Sequence, residues 1–171
     1  MKVLVMQHKA GNRFRTVQYY QALQQQGVQV EEPDFDLRRD WKQWLEAASQ
    51  ADVVWIARLL LSPYRLYQLF KKNPRIVFDF DDAVFLRSSR HGARSSLSKK
   101  IRFKCMVKAA RCVVAGNDFL KAAAERQGAR KVIRIPTVVN QDWYAAPAPR
   151  QGPFTVGWSS LWVWCSSMLH S

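Results

Sequence analysis

Three carboxylates stand close together at the end of an apolar run in the stretch RIVFDFDDAVF, residues 75–85. Asp79, Asp81 and Asp82 at this spacing fit three chemistries: an aspartyl nucleophile that attacks phosphate esters, an Asp-x-Asp pair that binds a metal ion, or the polar rim of a sugar-binding cleft. A fourth interpretation is structural, with the acids paired to nearby Arg or Lys and Asp82 capping a turn. The rest of the sequence must distinguish between these four interpretations. The structural one is easily satisfied, because the chain as a whole carries a formal net charge of +14.

The phosphatase interpretation rests on an apolar strand followed by Asp-x-Asp, which resembles the nucleophile motif of haloacid-dehalogenase-type phosphatases. Asp79 would be the nucleophile and Asp81 the acid/base. That motif normally opens its domain, whereas three strand-like segments precede it here. The chemistry also needs further carboxylates that converge on Mg²⁺, and the later acids, Asp118, Glu125 and Asp142, are scattered. The Asp-x-Asp of GT-A glycosyltransferases, which holds Mn²⁺ with a nucleotide-sugar, is a weaker match.

Strand and helix patterns alternate along the chain. Apolar runs predict six strands: KVLVM (2–6), VQV (28–30), DVVWIA (52–57), RIVFDF (75–80), CVVA (112–115) and KVIRI (131–135). Helical spacing predicts five helices. The first covers 14–26, the second begins after a cap at Asp40, and the third runs from Ser62-Pro63 to about Lys72. The fourth covers 98–110, and the fifth runs from a cap at Asn117 to Gly128. The alternation predicts an α/β fold: a Rossmann-like, doubly wound parallel sheet of about six strands with helices on both faces.

Polar residues follow several of these strands, at the sheet edge where such folds bind ligands. Gly11 permits a tight turn after the first strand, and Arg13 and Arg15 beside it are candidates to hold a phosphate. The alternative for both arginines is a solvated helix start. His8 is a candidate base, although a lone histidine is more often an ordinary polar contact. Asn117 is a helix cap that can also touch a ligand.

The region between Asp82 and Asp118 contains no acid but many cations. They are Arg87, Arg90, Arg94, Lys99, Lys100, Arg102, Lys104, Lys108 and Arg111. Such a run predicts a patch for an anionic membrane or another anion. The helix over 98–110 interleaves its cations with apolar residues, which indicates a partly buried helix with snorkelling cations. Nucleic acid is disfavoured because the chain shows no helix-turn-helix, zinc or RRM pattern and its aromatics do not follow the basic run.

Cysteine usage and the N-terminal sequence bear on the cellular compartment. The three cysteines show no paired spacing, which favours reduced thiols. MKVLVM is followed at once by Gln7 and His8, unlike a signal peptide, and no apolar run approaches the roughly 20 residues that span a bilayer. We expect a cytoplasmic protein that can associate peripherally with the inner face of a membrane.

The order of four segments resembles the N-terminal domain of group 1, or family-4-like, glycosyltransferases of the GT-B fold. These segments are MKVLV with its glycine-containing loop, RIVFDFDDAVF, RCVVAGNDFLKAAAERQGARKVIRIPTVVNQDWY and FTVGW. The resemblance implies transfer of a sugar from a nucleotide-sugar co-substrate to a hydroxyl of a glycan or lipid-linked saccharide, without a bound metal or cofactor. It also implies that Asp79, Asp81 and Asp82 hydrogen-bond acceptor hydroxyls, one of them serving as general base.

The resemblance further predicts the division of the chain. Residues 1–145 would form the acceptor-side domain, 146–153 a Pro-rich linker, and 154–171 the beginning of a donor-binding domain. After Trp158 the sequence SSLWVWCSSMLHS departs from the family pattern, and we interpret it as an aberrant end. On this interpretation the donor-binding residues are missing, and the chain alone is expected to be inactive. The alternatives to a glycosyltransferase are the phosphatase that uses Asp79 and Asp81, and a non-catalytic basic binding module.

Overall fold

The structure, a computed structural model, describes residues 1–8, 14–86 and 96–139. All of them belong to the first of two units, Met1–Asn140, while the second, Gln141–Ser171, lies outside the described residues. Several predictions therefore fall outside the described residues: those for Gly11, Arg13, Arg87, Arg90 and Arg94, and those for the linker and the end of the chain.

In the described part of the chain six parallel strands form one sheet, and this confirms the predicted fold class. They are β1 Lys2–Met6, β2 Gln29–Glu31, β3 Val53–Ala57, β4 Ile76–Phe80, β5 Cys112–Ala115 and β6 Val132–Arg134. Their order in the sheet is β2-β1-β3-β4-β5-β6. The strands match the apolar runs because a parallel sheet that is covered by helices buries most of its side chains.

Within the described ranges, four helices cover one face of the sheet. They are α2 Trp41–Gln50, α3 Pro63–Lys72, α4 Leu97–Ala109 and α5 Asp118–Arg126. Alternate strand residues such as Met6, Ile56 and Phe78 point into this main core, where they meet Trp44 of α2 and Phe103 of α4. We refer to this side as the four-helix face.

The other face, the α1 face, carries the short helix α1, Tyr20–Gln25, and a smaller core that contains Val3, Val5 and Val28. Strand order explains the asymmetry. The chain moves from β1 to β2 in one direction and then from β2 past β1 to β3, and on to β6, in the other. Since crossovers between parallel strands are right-handed, α1 lies on the face opposite to α2–α5.

Helix α1 is shorter than the predicted helix over 14–26. A 3₁₀ turn, Val17–Tyr19, precedes it, and the residues before that turn are not helical. The reason is tertiary: Arg15 is paired with Asp79 of β4, and the Thr16 hydroxyl donates to Gln7 Oε1 at 2.8 Å. The predicted stop at Gly27 is confirmed, with φ of 75° in the left-handed region.

The predicted helix starts are largely confirmed. Ser62 precedes Pro63 at the start of α3, and its hydroxyl accepts a hydrogen bond from Arg65 N. At the start of α5, Asn117 Oδ1 accepts a hydrogen bond from Leu120 N at 2.9 Å. Helix α4 is capped by Ser96, slightly earlier than predicted. Asp40 precedes α2 as expected, but its carboxylate accepts from Asp36 N rather than from the helix. No helix in the described ranges is long and apolar enough to cross a bilayer.

Candidate functional site

The three acids of RIVFDFDDAVF lie in different environments. Alternation along β4 turns Phe78 and Phe80 to the four-helix face and Asp79 to the α1 face, where Asp79 is only 2% exposed. Asp81 and Asp82 follow the last strand residue, with side chains that are 19% and 62% exposed. The expected group of three therefore divides into one buried acid and a pair at the carboxyl edge of the sheet.

Arg58 joins the two edge acids. It directly follows β3, which is the neighbour of β4, and its Nε lies 3.3 Å from Asp81 Oδ1 while its Nη2 contacts Asp82 Oδ2. Its backbone N–H donates to Asp79 O at 2.8 Å, and its φ of 57° is in the left-handed region. A side chain disfavours that conformation, and such strain is often found at ligand sites.

Two further residues complete this carboxyl-edge cluster. The Thr137 hydroxyl, after β6, donates to Asp81 Oδ2 at 3.1 Å. Gly116, after β5, donates its N–H to Phe80 O at 3.0 Å, and a Cβ on it would lie 2.9 Å from Asp81 Cα and Cβ. The glycine therefore allows the chain to pass directly beside Asp81.

Sequence reasoning did not identify Arg58, Thr137 or Gly116 as partners of the acids. A usable signal existed, because each residue follows a predicted strand and parallel strands end at the same edge of a sheet. What the pattern does not reveal is which neighbouring side chains turn toward the acids. That depends on sheet order, which places β3 beside β4 and β5 on the other side of β4.

Asp79 and Arg15 form a buried ion pair on the α1 face. Arg15 Nε donates to Asp79 Oδ1 at 2.7 Å, and each residue is 2% exposed. Trp55 Nε1 donates to Asp79 Oδ2 at 3.2 Å, and Arg15 Nη1 donates to Ile135 O. Desolvation by burial raises the pKa of Asp79 to about 6, although Arg15 and Trp55 favour its ionised form.

Arg15 does not lie at the solvated helix start that was one interpretation of the sequence, because its guanidinium is held inside the domain by Asp79 and by Ile135 after β6. That Arg15 holds a phosphate stays a prediction. The pair links the residues before α1 to β4 and to the chain that follows β6. The ion pair therefore holds these three segments together.

The remaining predicted site residues that the structure describes differ in exposure and in role. His8 is exposed, and Asn117 caps α5. On α4, Lys100, Lys104 and Lys108 are exposed at a spacing of four residues, which places them on one side of the helix. Of the other described cations of the run, Lys99 and Arg102 are half-buried and Arg111 is exposed. Lys99 Nζ donates to Leu86 O at 3.1 Å.

Helix α4 is partly buried, as its sequence predicts. Phe103, Met106 and Val107 point into the main core, while Leu97 and Ile101 remain 71% and 47% exposed. The exposed lysines therefore stand beside exposed apolar side chains.

No protein-family model and no curated protein matches this chain. Among the residues that the structure describes, no three His, Cys, Asp or Glu side chains are grouped so that they could hold a metal ion.

Proposed function

We propose that this chain is the acceptor-side domain of a GT-B-type glycosyltransferase, which transfers a sugar from a nucleotide-sugar to a hydroxyl of a glycan or lipid-linked saccharide. The observation that carries the proposal is the convergence of Arg58, Asp81, Asp82 and Thr137 at the carboxyl edge of a parallel sheet. The resemblance to group 1 glycosyltransferases supports it independently, since it rests on the order of sequence segments.

The chemistry of the cluster suits a ligand with several hydroxyl groups. A hydroxyl both donates and accepts hydrogen bonds, a carboxylate only accepts them, and a guanidinium only donates them. Asp82 and Arg58 lie in contact and are both accessible, with side chains 62% and 29% exposed. Neighbouring hydroxyls of one sugar can therefore donate to the carboxylate and accept from the guanidinium.

Within this proposal the three acids have different roles. Asp82 contacts the acceptor and is the candidate general base, while Asp81, held by Arg58 and Thr137, positions the edge. Asp79 supports the fold. The burial of Asp79 also disfavours a phosphatase, because both of its oxygens already accept hydrogen bonds from Arg15 and Trp55.

Acceptor binding by the chain itself tests the proposal. We expect saturable binding of at least one methyl glycoside from a panel based on glucose, galactose, mannose and N-acetylglucosamine, measured by saturation-transfer difference NMR. Asp82→Asn and Arg58→Gln should each weaken that binding by about tenfold, because a hydrogen bond to a charged group is lost. Glu46→Gln, a change on the exposed side of α2, is the matched control and should leave binding unchanged.

Two outcomes would count against the proposal. One is the absence of saturable binding by every glycoside in the panel. The other is that the Asp82→Asn and Arg58→Gln variants bind the glycoside as tightly as the Glu46→Gln variant does.

A further inference from the structure

A groove of about 400 Å³ lies between α4 and α5, and we refer to it as the α4–α5 groove. The buried side chains of Phe103 and Ala123 form its floor, and Leu86 and Ile101, which are 44% and 47% exposed, stand beside it. Its volume falls in the range of small-molecule sites, which begin at roughly 300 Å³. These apolar side chains favour a ligand with a hydrocarbon part.

Three cations border the same groove. Lys100 and Lys104 are exposed on α4 and lie one helical turn apart, while Arg126 is exposed on α5. Gln127, the next residue after Arg126, adds a side-chain amide. Because the cations come from both helices, positive charge stands on both sides of an apolar floor.

None of the three cations forms an ion pair with an acid in the described part of the chain. Glu125, which precedes Arg126, lies 3.9 Å from Lys121 instead. Like charges one turn apart on a helix repel each other, so Lys100 and Lys104 are unfavourable neighbours. An anion that enters the groove compensates these charges, and the groove therefore selects a negatively charged ligand.

The number of cations favours a phosphate over a carboxylate. A phosphate monoester carries a charge of about −1.5 to −2 at pH 7 and has three strong acceptor oxygens. A guanidinium can donate two parallel hydrogen bonds to such a group, and an ammonium acts on it as a point charge. Arg126 and the two lysines thus match a phosphate monoester in both charge and number of donors.

We propose that the α4–α5 groove binds an alkyl phosphate, a phosphate monoester of one hydrocarbon chain, as a single molecule from water. The phosphate lies among Lys100, Lys104 and Arg126, and the hydrocarbon chain packs on Ile101 and Phe103. No residue of the carboxyl-edge cluster lines this groove. Its occupancy therefore does not depend on the proposed glycosyltransferase function, and either proposal can fail without the other.

Methyl NMR on the full chain tests the location of binding. The probe is octyl phosphate, titrated below the concentration at which it forms micelles into protein with ¹³C-labelled Ile, Leu and Val methyl groups. We expect saturable shifts at Leu86, Leu97 and Ile101, which line the groove, and none at Val3 or Val5 on the α1 face. Absence of saturable shifts, or equal shifts on both faces, would overturn the proposal.

Ligand analogues test the chemistry. Octanol lacks the anion and inorganic phosphate lacks the hydrocarbon chain, so octyl phosphate should bind at least about tenfold more tightly than either. Octanoate carries less charge and should bind more weakly than octyl phosphate. Equal affinity of octanol would show that the cations do not select the ligand, and equal affinity of inorganic phosphate would show that the apolar side chains do not. Octanoate that binds as tightly as octyl phosphate would contradict the choice of a phosphate.

A matched pair of lysine variants tests whether the groove, rather than the whole basic side of α4, holds the anion. Lys104→Gln removes a cation that lines the groove and should weaken octyl phosphate binding by about fivefold. Lys108 is exposed one turn further along the same helix but does not line the groove, so Lys108→Gln should leave affinity unchanged. Equal losses in the two variants would indicate attraction by the row of lysines and would contradict the site.

A second pair of variants tests the hydrocarbon part. Ile101→Ala removes apolar surface from the groove and should weaken octyl phosphate by about fivefold, while the affinity for inorganic phosphate stays the same. Phe119 is 60% exposed on α5 and does not line the groove, so Phe119→Ala is the control and should change neither affinity. If Ile101→Ala behaves like Phe119→Ala, the chain of the ligand does not lie in the groove and the proposal fails.

Discussion

Arg15 and Asp79 show how one buried contact can join distant parts of a chain. They are 64 positions apart in sequence, yet their side chains meet at 2.7 Å within the domain. Arg15 also binds the backbone after β6 through Ile135 O, and Trp55 of β3 donates to the same carboxylate. Because the desolvation of each ion is compensated mainly by the other, the removal of one partner is costly.

Arg15→Met is therefore expected to lower the free energy of unfolding by about 3–5 kcal/mol at pH 7, because it leaves the Asp79 carboxylate buried without its cation. Arg15→Met combined with Asp79→Leu removes both charges and should recover most of that loss. Urea denaturation of the three proteins measures the coupling. A double variant as unstable as the single one would show that lost packing, rather than an unpaired charge, causes the effect.

The raised pKa of Asp79 predicts an unusual pH dependence. Burial lifts the pKa from 3.8 to about 6, so between these values the native state binds a proton that the unfolded state releases. The contribution of Asp79 to stability is present below pH 3.8 and is lost as the pH rises through 6. The charged groups near it, Arg15 and Asp81, act on the same titration.

The measurement compares the wild type with the Arg15→Met, Asp79→Leu double variant, which lacks this titrating group. The free energy of unfolding of the wild type, relative to the variant, should fall between about pH 4 and pH 6. A relative stability that rises over this range would mean that Arg15 lowers the pKa more than burial raises it.

Single elements were predictable wherever local pattern and burial agree. The apolar runs of β1, β3 and β4 and the capping residues Ser62 and Asn117 are local signals, and each is confirmed. The start of α1 was not predictable, because contacts to β4 and to Gln7 override its helical spacing. The carboxyl-edge cluster was predictable only in part, since the choice of partners for Asp81 depends on strand order.

The close approach of Gly116, after β5, to Asp81, after β4, can be tested by substitution. Gly116→Ala places a Cβ within 2.9 Å of backbone and side-chain carbon atoms of Asp81, and such a contact requires the chains to move apart. We expect a loss of about 1–3 kcal/mol in the free energy of unfolding, typical of overpacking, together with altered chemical shifts at Asp81 and Thr137.

Gly27→Ala is the control for Gly116→Ala. Gly27 has a φ of 75° and open space around it, so the alanine there adds backbone strain without a collision. It should cost about 1 kcal/mol and leave the shifts of Asp81 unchanged. If Gly116→Ala behaves like Gly27→Ala, close approach at Asp81 is not what requires the glycine.

At the scale of the molecule, the described domain has three surfaces of different chemistry. The carboxyl edge presents acids and Arg58, the α1 face presents an apolar cavity, and α4 presents lysines beside exposed apolar residues. The formal net charge of +14 favours anionic partners at long range. We predict that the exposed lysines of α4, Lys100, Lys104 and Lys108, contact an anionic membrane, with the exposed Leu97 and Ile101 beside them.

A variant that lacks the three exposed lysines of α4 tests whether an anionic membrane is the partner of this surface. Each lysine near an anionic bilayer contributes about 1 kcal/mol, so changing Lys100, Lys104 and Lys108 together to Gln should weaken binding to phosphatidylserine-containing vesicles by at least about tenfold. The control changes Lys42, Lys71 and Lys72 to Gln, which removes the same charge from α2 and α3. Vesicle co-sedimentation with and without anionic lipid measures both variants. Equal losses in the two variants would indicate attraction by net charge alone, and a preference for double-stranded DNA over the vesicles at matched salt would assign the surface to nucleic acid.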